Sequence, residues 1–154
     1  MPTWDYAVKD LDANKTAKCA GREYRISSKA ATEICREIKG MSLTKARKLL
    51  EDVIAKKRAI AYKSYKKDIP HRRQLSKFYA GKYPIKAARR ILQLLDELEA
   101  NAEYKGLNTE KLKITHAAAH RGRKIKKFIP RAFGRASPYF DTLTHIELVS
   151  YESE

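Results

Sequence analysis

Between Lys111 and Phe140 the chain carries Lys111, Lys113, Arg121, Arg123, Lys124, Lys126, Lys127, Arg131 and Arg135, and not one Asp or Glu. Charges of one sign at this density repel each other and gain little from burial, so the balancing charge must come from outside the chain. The chemistry such a segment offers is neutralisation of a polyanion. Gly122 and Gly134 let a backbone approach a ligand, and Phe128, Ile129, Phe133 and Tyr139 offer surfaces on which bases can stack. A solvated basic loop is the plainer alternative, and for each aromatic singly, packing within the chain competes with stacking on a base.

Other chemistries find little support. His71, His116, His120 and His145 lack metal spacing; His116 and His120 stand four apart, which aligns ligands on a helix, but the surrounding pattern is that of a strand. Cys19 and Cys35 form neither a CxxC pair nor half a zinc site and read as buried thiols. No Gly-rich phosphate loop, nucleophile elbow or carboxylate pair in an apolar frame is visible. The expectation is therefore a protein without catalytic residues, bound metal or cofactor.

Overall, 34 Lys and Arg oppose 18 Asp and Glu, for a formal charge of +16. The isoelectric point of about 9.9 falls where nucleic-acid binders lie. Charge alone also allows an anionic membrane. No apolar run approaches the roughly 18 residues of a membrane span, and the opening MPTWDYAVKDLDAN lacks the basic start and apolar centre of a signal peptide. A cytoplasmic location is expected, with no membrane partner and no homo-oligomer.

The elements that must position these residues are legible in the periodicity. Residues 1–12 read as an acidic arm (Asp5, Asp10, Asp12) with an aromatic anchor in Trp4 and Tyr6. Thr16–Ile26 reads as a strand. Ser27 or Ser28 then caps a helix through Ile34, Cys35 and Ile38 that Gly40 ends. Ser42 opens a second helix on Leu43, Ala46, Leu49, Leu50, Val53 and Ile54, with Lys45, Arg47 and Lys48 outside. Pro84 fits the first turn of a third, carried by Ile85, Ala88, Ile91, Leu92, Leu95, Leu98 and Ala102 and stopped by Gly106.

Two regions depart from this regularity. Residues 58–83 show no lasting period and exceed the roughly 12 to 15 residues a compact domain tolerates unstructured, so they read as a binding loop, as disordered alone, or both. Basic residues continue through it as Lys63, Lys66, Lys67, Arg72, Arg73, Lys77 and Lys82, interrupted only by Asp68. Lys86, Arg89 and Arg90 follow on the first turns of the third helix, against its dipole, an arrangement that a phosphate there would relieve. After Gly106 the period becomes two, with Leu112, Ile114, His116 and Ala118 on one side of one strand and Thr144, Ile146, Leu148 and Ser150 on one side of the next. Pairing Ile114 with Ile146 puts the turn near Pro130. The basic stretch becomes the outer half of a hairpin that projects from the domain. The fold class is α+β, with three helices packed on a three-stranded antiparallel sheet and a long protruding hairpin over about 111–150, in one domain.

In this order, "ISSKAATEICREIKGMSLTKARKLL", "YPIKAARRILQLLDELEANAEYKGL" and above all "IPRAFGRAS" before "THIELV" resemble the large-subunit ribosomal proteins of the L-twenty-two family, called L-seventeen in eukaryotes. The resemblance covers about Thr16 to Tyr151, and the 58–83 loop looks like the archaeal or eukaryotic branch. It implies a small domain on the outer part of the large subunit, binding ribosomal RNA beside neighbouring ribosomal proteins. It further implies that the hairpin tip, Lys126, Lys127, Phe128, Ile129, Pro130, Arg131, Ala132, Phe133, Gly134 and Arg135, forms part of the wall of the nascent-peptide exit tunnel and meets the nascent polypeptide. The arms would contact RNA through His120, Arg121, Arg123 and Lys124. A nucleic-acid-processing enzyme or a DNA-compacting protein using the same basic surface are the competing readings.

Overall fold

The computed structural model describes residues 5–153, so Trp4 lies outside the described residues. Strand β1 (Thr16–Tyr24) leads into helix α1 (Ser28–Ile38). Ser27 holds the N-cap with extended backbone, and its hydroxyl accepts the Ala30 N–H. Gly40 takes φ +85° and closes the helix. Its N–H donates to the Ile114 carbonyl at 2.7 Å, while Ile114 N–H donates to Met41 at 2.9 Å. The junction to helix α2 (Leu43–Ile54) thus lies along an otherwise open strand edge and covers part of it.

Helix α2 buries Leu43, Ala46, Leu49, Leu50 and Val53. Arg47, expected outside, is half-buried, because its guanidinium bridges Asp96, at 2.8 Å, and Glu99 on helix α3 (Ile85–Tyr104). Pro84 sits at the N-cap of α3, one position before its expected place in the first turn. The buried stripe of α3 is also displaced: Ala87 and Leu94 are inside, whereas Ile85 and Leu92 are half-exposed. The helix is covered from two sides, by β1 and by α2, and two neighbours widen the covered arc toward positions that a single apolar face would leave open. Its end is a Schellman turn, with Leu107 N–H on Ala102 at 3.0 Å, Gly106 N–H on Glu103 at 2.8 Å and Gly106 at φ +72°. No helix among the described residues is long and apolar enough to cross a membrane.

The sheet has the order β1-β7-β4, all antiparallel, with β4 spanning Leu112–Ile125 and β7 spanning Asp141–Glu152. Here the register differs from the sequence expectation. Ile114 faces Ser150, and Ile146 faces Ala119. Strand β4 carries one extra residue between Ile114 and His116 and another between Arg121 and Lys124. Since side chains alternate, the first bulge reverses the faces: His116 and Ala118 leave the side of Leu112 and Ile114, and Ala117 and Ala119 take the core positions. The offset register, with a smaller contribution from the extra residues, moves the turn from Pro130 to Phe133 and Gly134, beyond strands β5 (Phe128–Pro130) and β6 (Ala136–Pro138), which continue the ribbon.

The 58–83 loop is not without structure. Strands β2 (Ile60–Ala61) and β3 (Gly81–Lys82) pair, His71 bridges to Ala80, and Ile60, Tyr62 and Ala80 are buried. On the far side of the sheet the arm is held by the Ala7 N–H on Glu147 at 3.1 Å and by Lys18 Nζ 5.6 Å from the Tyr6 ring. Both cysteines are buried, and burial pushes both thiols up to about 12. The displaced stripe of α3 is directly testable. Leu94→Ala should cost about 2–5 kcal/mol, and Leu92→Ala clearly less, as measured by urea unfolding.

Candidate nucleic-acid interface

Beyond the last core contact at Ala119 the ribbon leaves the domain. From Arg121 to Phe140 every residue is exposed except Gly122 and Ser137, which are half-buried. Its reach from Ala119 to Phe133 is on the order of 45 Å at roughly 3.3 Å per residue. Phe133 and Gly134 take φ +56° and +67°, the two positive angles of a type I′ hairpin turn, and Arg135 N–H donates to Ala132. A bulky residue is strained in that region, and the Phe133 ring gains no burial in return, being 94% exposed. Arg131 Nε donates to Ser137 Oγ at 3.2 Å, and Phe128 packs edge-on against Phe140 at 5.8 Å. Lys124, Lys126 and Arg135 lie open on the same ribbon.

The stretch lacks acids of its own, but cross-strand pairing supplies a few. Asp141, opposite Ile125, takes Arg25 and, at 3.2 Å, Lys127. These two cations hold its carboxyl below the ordinary value, Arg25 first. Arg123 lies 3.6 Å from Glu23. Gly122 serves the chain itself: a Cβ there would meet His145 Nε2 at 2.6 Å, so the space read as room for a ligand is filled by an imidazole. His120 is likewise engaged, with Nε2 2.8 Å from Glu147 Oε1, although about half of its side chain stays open. Glu147 is buried on the outer face of β7 and also meets His116 Nε2 at 3.4 Å and the Ala7 amide. Burial raises its carboxyl, but the bonds from His120, Ala7 and His116 outweigh burial and hold it below the ordinary value.

A second basic surface forms where the loop meets the helices. Glu33, buried on α1, accepts the Ser64 and Tyr65 amides at 2.8 and 3.1 Å and pairs with Arg36 at 3.0 Å. This clamp holds the loop so that Lys66 and Lys67 line, together with Lys82 and Lys86, a cleft of about 700 Å³. Lys29 completes the rim and was not singled out in the sequence, although it stands two residues after the Ser27 cap as Lys86 stands two after Pro84. A neighbouring hollow lined by Arg25, Lys29, Lys86 and Phe140 joins this cleft to the root of the hairpin. Not every basic residue faces it. Arg72 lies over the Tyr83 ring at 5.1 Å and, with Arg73 and Lys77, lines the outer end of the loop. Lys63 shares a depression with Glu37 and Asp52. Arg89 is exposed on α3, and Arg90 lies 5.6 Å from the Tyr24 ring and bonds Gln93.

An α+β core bearing a basic cleft and a basic two-stranded arm defines the class, a small basic protein with a long exposed ribbon. The chain belongs to the family of ribosomal protein L22p/L17e, whose model matches residues 19–150. The large ribosomal subunit protein uL22 of Archaeoglobus fulgidus is 56% identical over 150 residues, 97% of each chain. That of Methanopyrus kandleri is 51% identical over 152 residues, covering 97% of this chain and 96% of its own. The protein of the same name from Thermofilum pendens is 47% identical over 154 residues, the whole of both chains. The family resemblance read from the helices and the hairpin turn is therefore confirmed, with archaeal relatives.

The Glu147 contact carries a pH dependence. Its folded-state value lies below its unfolded one, so its stabilisation is complete above the ordinary carboxylate range and is lost as pH falls through the folded value. Glu147→Gln should therefore destabilise by about 1–3 kcal/mol at pH 7 and by less at pH 3, read from urea midpoints at both pH values.

Proposed function

We propose that the chain is a structural constituent of the large ribosomal subunit that binds large-subunit ribosomal RNA through both basic surfaces, with the tip from Lys126 to Arg135 forming part of the nascent-peptide exit tunnel wall. Family membership supports the ribosomal role and a cytoplasmic particle, and it argues against an enzyme. The observation that carries the RNA-binding reading is the ribbon itself. It is a long arm outside the core, crowded with like charge and with exposed aromatic rings, and a two-stranded ribbon of this kind is marginal in water without a partner.

The mechanism is phosphate neutralisation at several separated places. The cleft and loop bind at the globular end while the arms bind along the ribbon, so distant RNA segments are held at a fixed spacing. Neighbouring ribosomal proteins and the nascent polypeptide are the remaining partners in this reading. The one domain, residues 1–154, acts as a spacer with two contact zones.

Affinity for large-subunit RNA fragments should fall with salt by roughly 0.7 to 0.9 log units per log unit for each phosphate contacted. Deleting residues 126–135 removes four basic side chains and should flatten that slope by roughly 3, leaving the melting temperature of the domain nearly unchanged. Subunits carrying the deletion should sediment normally yet pass certain nascent chains differently. An unchanged slope would remove the hairpin from RNA binding, and an unchanged tunnel would remove only the tip's role there.

A further inference from the structure

We propose that the cleft between α1, α3 and the 58–83 loop holds a single unstacked base of an RNA strand, with the phosphate of that nucleotide on the surrounding lysines. This rests on the RNA-binding reading above and names a subsite within it. Five lysines rim the cleft, namely Lys29, Lys66, Lys67, Lys82 and Lys86, and no described residue lining it is acidic. Its inner wall is of another character, built from Tyr65, Ile69, Tyr83 and Ile85. Phosphate alone needs no apolar hollow, and an apolar ligand gains nothing from five ammonium groups. A nucleotide with its base turned out of the stack has both parts, and unstacked bases of single-stranded RNA are the ones proteins hold on aromatic faces. The volume of about 700 Å³ lies within the range of small-ligand sites.

Both tyrosines are held by the chain before any ligand arrives, Tyr83 through its side chain and Tyr65 through its backbone. The Tyr83 hydroxyl donates to Gln74 Oε1 at 2.7 Å, and Arg72 occupies a place over its ring at 5.1 Å. Tyr65 is fixed through its own amide on Glu33, and Lys29 Nζ stands 5.8 Å from its ring centre. Glu33 lies beneath this wall, and its charge is met by Arg36 and two amides, so it does not cancel the lysines. A site whose parts are already held loses less freedom on binding.

The test uses the full chain and a protein-free transcript of the large-subunit RNA, with filter binding and chemical probing of the Watson–Crick edge of each unpaired base. One unpaired base should lose reactivity on binding. Tyr65→Leu with Tyr83→Leu, which keeps apolar bulk but removes the stacking faces, should restore that reactivity. The same pair should weaken binding roughly 5- to 150-fold at an unchanged salt slope. Tyr65→Phe, which keeps the ring and spares the Tyr83 hydroxyl bond to Gln74, should behave as the unsubstituted chain. Lys29→Gln with Lys86→Gln should instead lower the slope by roughly 1 to 2. If the Leu pair lowers the melting temperature, Tyr65→Leu alone, at a half-exposed loop position, should still free the same base. Unaltered reactivity and affinity in the Leu variants, with the lysine effect intact, would make the cleft a phosphate-facing surface and overturn the proposal while sparing RNA binding. A cleft protected in the intact subunit without any base whose protection depends on the tyrosines would assign it to a protein segment and overturn it equally. If the unsubstituted chain fails to bind the transcript, both this subsite and the function it rests on fall.

Discussion

Strand β7 joins everything else. It is the last of the described strands and central in the sheet, so β1 and β4 both hydrogen-bond to it, with Thr16 opposite Tyr151 and Leu112 opposite Glu152. One face of β7 sends Ile146 and Leu148 into the core, and the other places Glu147 against His116, His120 and the Ala7 amide. Pairing residues this far apart in sequence carries a large loop-closure penalty, so the helices can form early but the sheet must wait for the C-terminal segment. The apolar faces of α1 and α3 have no sheet to cover them until that segment arrives.

The second constraint is a shortage of negative charge, and the chain uses its acids in a consistent way. Glu33 anchors the loop, Glu147 anchors the arm and β4, and Asp96 and Glu99 join α3 to α2 through Arg47. Each of these carboxylates is turned toward another part of the same chain. The basic groups are consequently left outermost, on the ribbon and around the cleft. Internal repulsion is thereby concentrated where the structure is thinnest, which lowers the stability of the ribbon.

Much of this was legible in the residues. The caps at Ser27 and Gly40, the stop at Gly106 and the spacing of α2 follow from local chemistry, and local chemistry is what a sequence displays directly. The protruding arm was legible because alternating apolar residues stop while the basic ones continue. What was hidden depends on partners distant in sequence. The bulge after Ile114 leaves no mark in composition, so the faces of His116 and Ala117 came out exchanged. The order within 58–83 comes from Glu33, some thirty residues upstream. The cleft itself is assembled from two helix starts and a loop, and no single window of sequence contains it.

The two bulges in β4 make the arm behave as a ruler with fixed graduations. Because outward-facing positions recur every second residue, adding one residue to one strand would turn every side chain beyond it to the opposite face. Adding two residues to each strand would leave the faces as they are and carry the tip outward by roughly 7 Å. Lineages that lengthen or shorten the arm can therefore do so only in matched pairs of residues if the basic and aromatic faces are to keep their sides. The direction in which the tip points is set separately, by the local twist at the bulges near Thr115 and Gly122. Length and aim are inherited through different residues, and either can change while the other is held.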